Sequence, residues 1–488
     1  MIEAKCTTTG RHVARQHGRS WLGVTIITLA CLALASCGTI QSSQGPTQSS
    51  HGPVLHVSKG AAHAITTPFE GTNLDYSGVA EPYGVASVID AVTSAAPGTI
   101  RYPGGTISNY WDWQTGTVNQ PPSTTVTNSG RTKTKPGRYH RYGFTLTTLK
   151  TITRATGAVP IFDLNVMTST LSDQLEMLTT AAHMGIPVRY IELGNEFYLP
   201  DSNYLRAFPT PRSYADLVAS WAPAIRAAFP NAQIAAVASA ERTTPRERQW
   251  NSILLSIAAR DINAVTLHDY PSIQATKTRL PAPATLLAGA SIDWQPVADI
   301  INSLPSRLSV WITEYNLGIN ALSLGSPALG TTWEHALYIA ELDLQELASP
   351  RITLTDYWDL FGAASSAQFT SGIPPATTPT GSVSRLINQA MKQATRVTEL
   401  TIANDPLLNG STTAVSGINV RPASGGDRLI FVNLGSGSAT LAAGKLIPTG
   451  ASAQQLRGSP LAQAVNLVSL HVSSDLTLPP YSVTVISK

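Results

Sequence analysis

Two carboxylates stand where short apolar runs end. Glu196 closes Tyr190-Ile191-Glu192-Leu193-Gly194-Asn195-Glu196, and Glu314 lies in Val310-Trp311-Ile312-Thr313-Glu314-Tyr315-Asn316. A strand buried on both faces reads as a continuous apolar run, and in barrels of parallel strands the polar residues at the strand ends line the reactive mouth. Two carboxyl groups reaching across one mouth can share acid–base work on a glycosidic bond. One protonates the leaving oxygen while the other, ionised, attacks the anomeric carbon; for retention of configuration they stand ~5–5.5 Å apart, and for inversion further.

The elements that must position them follow from periodicity. Short β-rich runs at 69–74, 99–102, 159–165, 188–193, 233–238, 264–268, 309–313 and 352–358 alternate with amphipathic helical stretches. Such alternation implies parallel strands with helical crossovers. Ser213, with Asp216 three residues on, reads as a helix cap before Tyr214, Leu217, Val218, Trp221 and Ile225; a second helix carries Trp333, Leu337, Ala340, Leu344 and Leu347 on one face. Eight such units predict an α/β fold, a (β/α)8 barrel over residues 54–393 with Glu196 after strand four and Glu314 after strand seven, on opposite sides of its mouth. Residues 394–488 change to Val, Thr, Ser and Gly with frequent turns, and runs at 414–420, 428–433, 464–472 and 481–486 predict a small antiparallel β-sandwich. Strand material at 54–57 is a candidate to complete it.

At these residues the chain resembles a known group of enzymes. Gly194-Asn195-Glu196, His268-Asp269-Tyr270 and Thr313-Glu314-Tyr315-Asn316, in that strand order, resemble the clan A glycoside hydrolases. Arg101-Tyr102-Pro103-Gly104-Gly105 and the strand-three ending Asn165 resemble family 51, the α-L-arabinofuranosidases; the β-glucuronidase- and heparanase-like family 79 comes next. The ending Leu478-Pro479-Pro480-Tyr481-Ser482-Val483 is similar to the terminal sandwich strand of such enzymes. The resemblance implies Glu196 as general acid/base and Glu314 as nucleophile. It places Asn195 on the sugar 2-hydroxyl, Tyr270 in a hydrogen bond to Glu314, and Arg101 beside Glu314, lowering its pKa while the nearby carboxylate raises that of Glu196. His268 and Asn165 join the substrate-binding set, although Asn165 equally suits a role in satisfying backbone groups. Thr106 stands where family 51 has Asn, and strand one offers no counterpart of the Glu that reads an arabinose hydroxyl, so arabinofuranose is not the expected sugar. Trp111 and Trp113, and Trp358 after strand eight, could wall a pyranose or simply pack in the core. The expectation is a retaining glycosidase acting on extracellular polysaccharide or oligosaccharide through a glycosyl-enzyme, without metal or organic cofactor. The alternatives are a transglycosylase remodelling envelope glycan and a catalytically silent sugar-binding barrel.

The N-terminus speaks to location. Lys5, Arg11, Arg15 and Arg19 precede an apolar run over 21–34, too short for a persuasive membrane span, so residues 1–36 read as a signal peptide. Leu34-Ala35-Ser36-Cys37 resembles the bacterial lipobox, in which the cysteine is lipidated and becomes the mature N-terminus. Cys6 and Cys31 lie in the removed segment, which leaves Cys37 the one thiol and precludes an intrachain disulfide. Residues 37–53 have the composition of a flexible tether, so an exported lipoprotein held at the cell envelope or surface is expected. The leader contains four of the 33 Lys/Arg and one of the 30 Asp/Glu, so the remainder is neutral and gives no footprint for nucleic acid. A long Thr/Pro/Ser-rich loop over 114–142 gathers Arg131, Lys133, Lys135, Arg138 and Arg141, either a solvated face or a contact for acidic sugar. Composition leaves oligomeric state open.

Overall fold

The computed structural model describes residues 52–65, 68–74, 83–126, 132–273, 279–361, 366–442, 446–447, 450–472 and 475–487. The expected signal peptide, Cys37, the tether as far as residue 51, and Arg131 lie outside them. Among the described residues no helix is long and apolar enough to cross a membrane.

Eight parallel strands close into a barrel in chain order: Glu70–Asn73, Thr99–Tyr102, Val159–Asp163, Tyr190–Glu192, Gln233–Val237, Ala264–Asp269, Ser309–Tyr315 and Ile352–Tyr357. Each falls on one of the apolar runs. Side chains from six of them, Ile161, Tyr190, Ala235, Ala264, Trp311 and Leu354, fill one buried layer across the interior. Two residues further along four of these strands come Asp163, Glu192, Thr313 and Asp356, all at most 1% exposed. The barrel is thus apolar below and polar towards its C-terminal mouth.

The helix Pro211–Ala228 starts earlier than expected. Its cap is Thr210, whose side chain accepts from Ser213 N while Ser213 reciprocates, so Ser213 belongs to the first turn. Pro211 fits the first helical position, where no backbone donor is needed. The helix Trp333–Ala348 buries the expected apolar face, but Glu334, His335, Glu341, Asp343 and Glu346 are buried as well. Its other side meets the β-domain: Ser416 Oγ donates to Glu341 Oε1 at 2.9 Å, and Trp333 Nε1 to the Tyr481 carbonyl at 2.7 Å.

The β-domain has nine strands around a core that includes Leu55, Leu400, Phe431, Leu441 and Leu478. Its N-terminal strand Val54–Ala64 pairs antiparallel with Ala394–Ala403 and parallel with Ala439–Leu441. The boundary at residue 54 therefore needs correction: this strand belongs to the β-domain, and the barrel begins at Glu70. Ala394–Ala403, Ala439–Leu441, Ala451–Arg457 and Leu476–Leu478 are further strands that no strong apolar run announced. Half-buried strands present apolar residues on one face only, and alanine and threonine on that face mute the signal.

The loop after strand two is also more ordered than its composition implied. Trp111–Asp112, Thr117–Gln120 and Arg138–Arg141 form one antiparallel sheet, and Ser123–Val126 pairs with Thr132–Lys135 in another. Threonine and valine favour the extended pleated backbone, which the Thr/Pro/Ser label obscures. Ser123 Oγ donates to Asp201 Oδ2 at 2.8 Å and Thr124 N to Ser202 Oγ at 2.9 Å, tying this excursion to the segment that follows strand four.

Candidate active site

Strict alternation along strand seven would turn Glu314 away from the barrel axis, because Thr313 points in and donates to Glu192 Oε1 at 3.0 Å. The register breaks at this point: Leu267 lies opposite Ile312, but His268 lies opposite Glu314. One extra residue in strand seven re-aims the following side chain, as bulges do beside reactive sites. Glu196 is placed by a different device. Its backbone is left-handed at φ 54°, costing roughly 1–2 kcal/mol for a residue with a Cβ. The turn is held by Asn109, whose Oδ1 accepts from Asn195 N at 3.0 Å while its Nδ2 donates to the Asn195 carbonyl at 2.8 Å. Gly194, at φ 87°, admits the Phe197 ring so closely that a Cβ would lie 2.3 Å from it.

Beneath the mouth, Arg101 is fully buried and spends its whole guanidinium on the site. Nε donates to Glu192 Oε2 at 2.7 Å, Nη1 to Glu314 Oε1 at 2.6 Å and Nη2 to Asn195 Oδ1 at 2.9 Å, and Asp163 Oδ2 lies 3.1 Å from Nη2. One cation among three carboxyl groups leaves negative charge in excess, and burial with the neighbouring Glu192 holds Asp163 well above the usual carboxylate range despite Arg101.

Above Arg101 the two carboxylates meet. Tyr270 OH donates to Glu314 Oε2 at 2.7 Å, the contact implied by the resemblance. His268 Nδ1 lies 3.0 Å from Glu196 Oε1 and 3.5 Å from Glu314 Oε2, and Tyr198 OH donates to Glu196 Oε1 at 3.4 Å. One donor atom from each of Glu196, His268 and Glu314 lies within 4.8 Å of the others. Such a trio could also ligate a cation, but the Arg101 guanidinium already bound to Glu314 opposes a second positive charge.

The proton affinities are the reverse of those expected. Burial raises Glu196, but the hydrogen bond and charge of His268 outweigh it, and this carboxyl sits below its ordinary value. Burial raises Glu314 too; His268, Arg101 and Tyr270 pull it back only in part, and it stays above. Burial would lower His268, but Glu314 and Glu196 raise it more. Within the Glu196–His268 pair these shifts favour the proton on the histidine. The sequence placed the two carboxylates near each other and His268 in the substrate-binding set, without setting the imidazole between them.

The other residues singled out divide in two. Asn195 keeps a buried Nδ2 with no protein partner, a donor free for a sugar hydroxyl. Trp358, half-buried, borders strand eight at the mouth, its N donating to the Tyr315 carbonyl at 3.2 Å. Asn165 is spent on its own loop: Oδ1 accepts from Thr168 N at 2.9 Å, and Nδ2 donates to the Trp111 carbonyl at 3.0 Å and Thr168 Oγ1 at 2.8 Å. Trp111, 3% exposed, packs edge-on against Tyr102 with centroids 6.1 Å apart. Trp113 is half-buried and donates to Asp173 Oδ1 at 3.0 Å. These contacts brace the rim, and Trp111 and Asn165 also line a cavity of about 570 Å³. Glu192, Asp163, Asn109 and Tyr198 were missed; inward alternation from Ile161 and Tyr190 was the available signal for the first two.

No protein-family pattern matches the sequence, and no curated protein does either. Solved structures do. AbfB, a family 51 α-L-arabinofuranosidase from Bifidobacterium longum, superposes with a TM-score of 0.71 at 16% identity, over 90% of this chain and 100% of the other. The α-L-arabinofuranosidase of Thermotoga maritima gives 0.68 at 14%, over 89% and 99%. The fold is that of the family 51 enzymes. It extends to the catalytic domain of the family 30 xylanase C from Talaromyces cellulolyticus, with a TM-score of 0.54 at 13% identity over 89% and 99%. In each case the match covers about nine-tenths of this chain, more than the barrel alone.

Proposed function

We propose that the protein is a retaining glycoside hydrolase in which Glu314 is the nucleophile and Glu196 the general acid/base. The observation that carries the reading is the carboxylate pair, with oxygens within 4.8 Å of one another across the barrel mouth. So close an approach is nearer the ~5–5.5 Å carboxyl separation of retaining enzymes than the ~6.5–9.5 Å of inverting ones. Glu314, oriented by Arg101 and Tyr270, attacks the anomeric carbon as the bond to the leaving oxygen breaks and Glu196 gives that oxygen its proton. Glu196 then takes a proton from the water that displaces Glu314. Asn195 Nδ2 is the donor for the sugar 2-hydroxyl, a contact that strengthens as the ring becomes oxocarbenium-like.

Glu314→Gln should lower turnover of every substrate by several orders of magnitude, because no glycosyl-enzyme can form. Glu196→Ala should retain glycosylation by a substrate with a good aryl leaving group, and azide should restore its turnover with retained anomeric configuration. A 2-fluoro glycoside should label Glu314. An inverted product from the unaltered enzyme would refute the assignment of roles.

The substrate on this reading is extracellular polysaccharide or its fragments, reached from an envelope anchor at Cys37. The lipobox and the tether composition support that placement. Mass spectrometry of the mature protein should find Cys37 at the N-terminus carrying a diacylglycerol; a soluble chain still joined at Ser36 would overturn the anchor.

A further inference from the structure

A cavity of about 200 Å³ opens beside Glu196, lined by neither Arg101 nor Glu314, between the ends of strands four, five and six and the helix Pro283–Ser303. Glu196, Glu241, Asp269 and Asp293 contribute four carboxyl groups to its wall, and His268 is its one basic group; among the described residues lining it there is no lysine or arginine. Two of these acids are in unfavourable surroundings. Asp269 is 3% exposed and its Oδ2 has no hydrogen-bond partner. Burial raises it to about 7, and Asp293 adds to this. Burial, then Glu247 and Glu196, raise Glu241 to about 7. The tyrosine hydroxyls nearby are already committed, Tyr198 to Glu196, Tyr270 to Glu314 and Tyr338 to Asp293, and carboxyl acceptors in excess of donors describe the complement of a cation rich in N–H groups.

We propose that this cavity is the subsite for the leaving unit and that it selects a leaving unit carrying a protonated amine, an amino sugar without an N-acyl group. This rests on the assignment of Glu196 as proton donor: the cavity is lined by Glu196 and not by Glu314, and the group held next to the proton donor is the departing one. An ammonium there offers three donors to Glu241, Asp269 and Asp293 and relieves their mutual repulsion. An acetamido group offers one donor, no charge and more bulk. A neutral hydroxyl meets the same acceptors without the charge.

The test separates this claim from the hydrolase assignment. Binding of D-glucosamine, N-acetyl-D-glucosamine and D-glucose to the full chain is measured by calorimetry at pH 7, and turnover of an aryl glycoside lacking an amine is measured in parallel. Glucosamine should bind at least about tenfold more tightly than the other two, the usual worth of hydrogen bonds to a charged group. Glu241→Gln should remove about tenfold of that preference, and Asp293→Asn, further from Glu196, should lower it independently. Equal affinities for the three sugars, or no binding by glucosamine, would overturn the subsite whether or not the aryl glycoside is cleaved. Selective glucosamine binding without turnover of any glycoside would uphold the cavity's preference and defeat the hydrolase assignment instead.

Discussion

His268 links the two carboxylates. It contacts Glu196 at 3.0 Å and Glu314 at 3.5 Å, so three titrating groups share their protons and the site's pH behaviour belongs to the cluster. The form competent to protonate a leaving group has one proton on the Glu196–His268 pair. Against burial, Glu314 and Glu196 raise His268 above its ordinary value, so the pair holds that proton to higher pH than a free imidazole would. Replacing His268 with Gln removes the store. The proton must then reside on a carboxyl, and the alkaline limb of kcat/KM should move down by about one pH unit or more. A pH–rate profile on an aryl glycoside measures this; an unmoved limb would show that His268 has only a packing role.

At the scale of elements, the excursion after strand two presents exposed positive charge. Lys133, Lys135, Arg138 and Arg141 sit on exposed strands, and no ion pair among the described residues involves them. Anchored through Asp201 to the segment after strand four, the ribbon is fixed beside the mouth. On an acidic polysaccharide, replacing Lys133, Lys135 and Arg138 with Gln should raise KM by about tenfold at low ionic strength and flatten its salt dependence. Kinetics at several salt concentrations test it; an unchanged KM would leave the ribbon as solvated surface.

Across the whole molecule, buried acids greatly outnumber buried bases. Burial raises Asp269, Glu334 and Asp343 to about 7 each, and Glu70, Glu341, Glu346 and Asp356 also stand above their ordinary values. Glu70, Asp343 and Glu346 press together where the helix Trp333–Ala348 meets the barrel: the charge of Asp343 raises Glu70, and those of Asp343 and Glu70 raise Glu346. The sign follows from linkage. A carboxyl whose folded value is raised binds more protons when folded, so its contribution is full below about pH 4 and is lost as pH rises towards about 7. The melting temperature should therefore fall between pH 5 and 8, by roughly 5–10 °C. Calorimetry across that range decides it: a flat or rising Tm would show that these acids find counter-charge.

The sequence by itself determined the barrel, the order of its strands and the strand ends that bear Glu196 and Glu314, because a doubly buried strand must be apolar and an apolar run is visible locally. It also marked Arg101, Asn195 and Tyr270, which stand in short motifs at those ends. Only the tertiary structure decided where their side chains point. The extra residue in strand seven turns Glu314 inward against strict alternation, and no local signal in Ile312-Thr313-Glu314 announces it. The position of His268 between the carboxylates, the hydrogen bond that ties Asn165 to the Trp111 carbonyl, and the burial of charged residues around the helix Trp333–Ala348 have the same origin. Each depends on which distant segment packs against the residue, and burial and charge are properties of that neighbourhood.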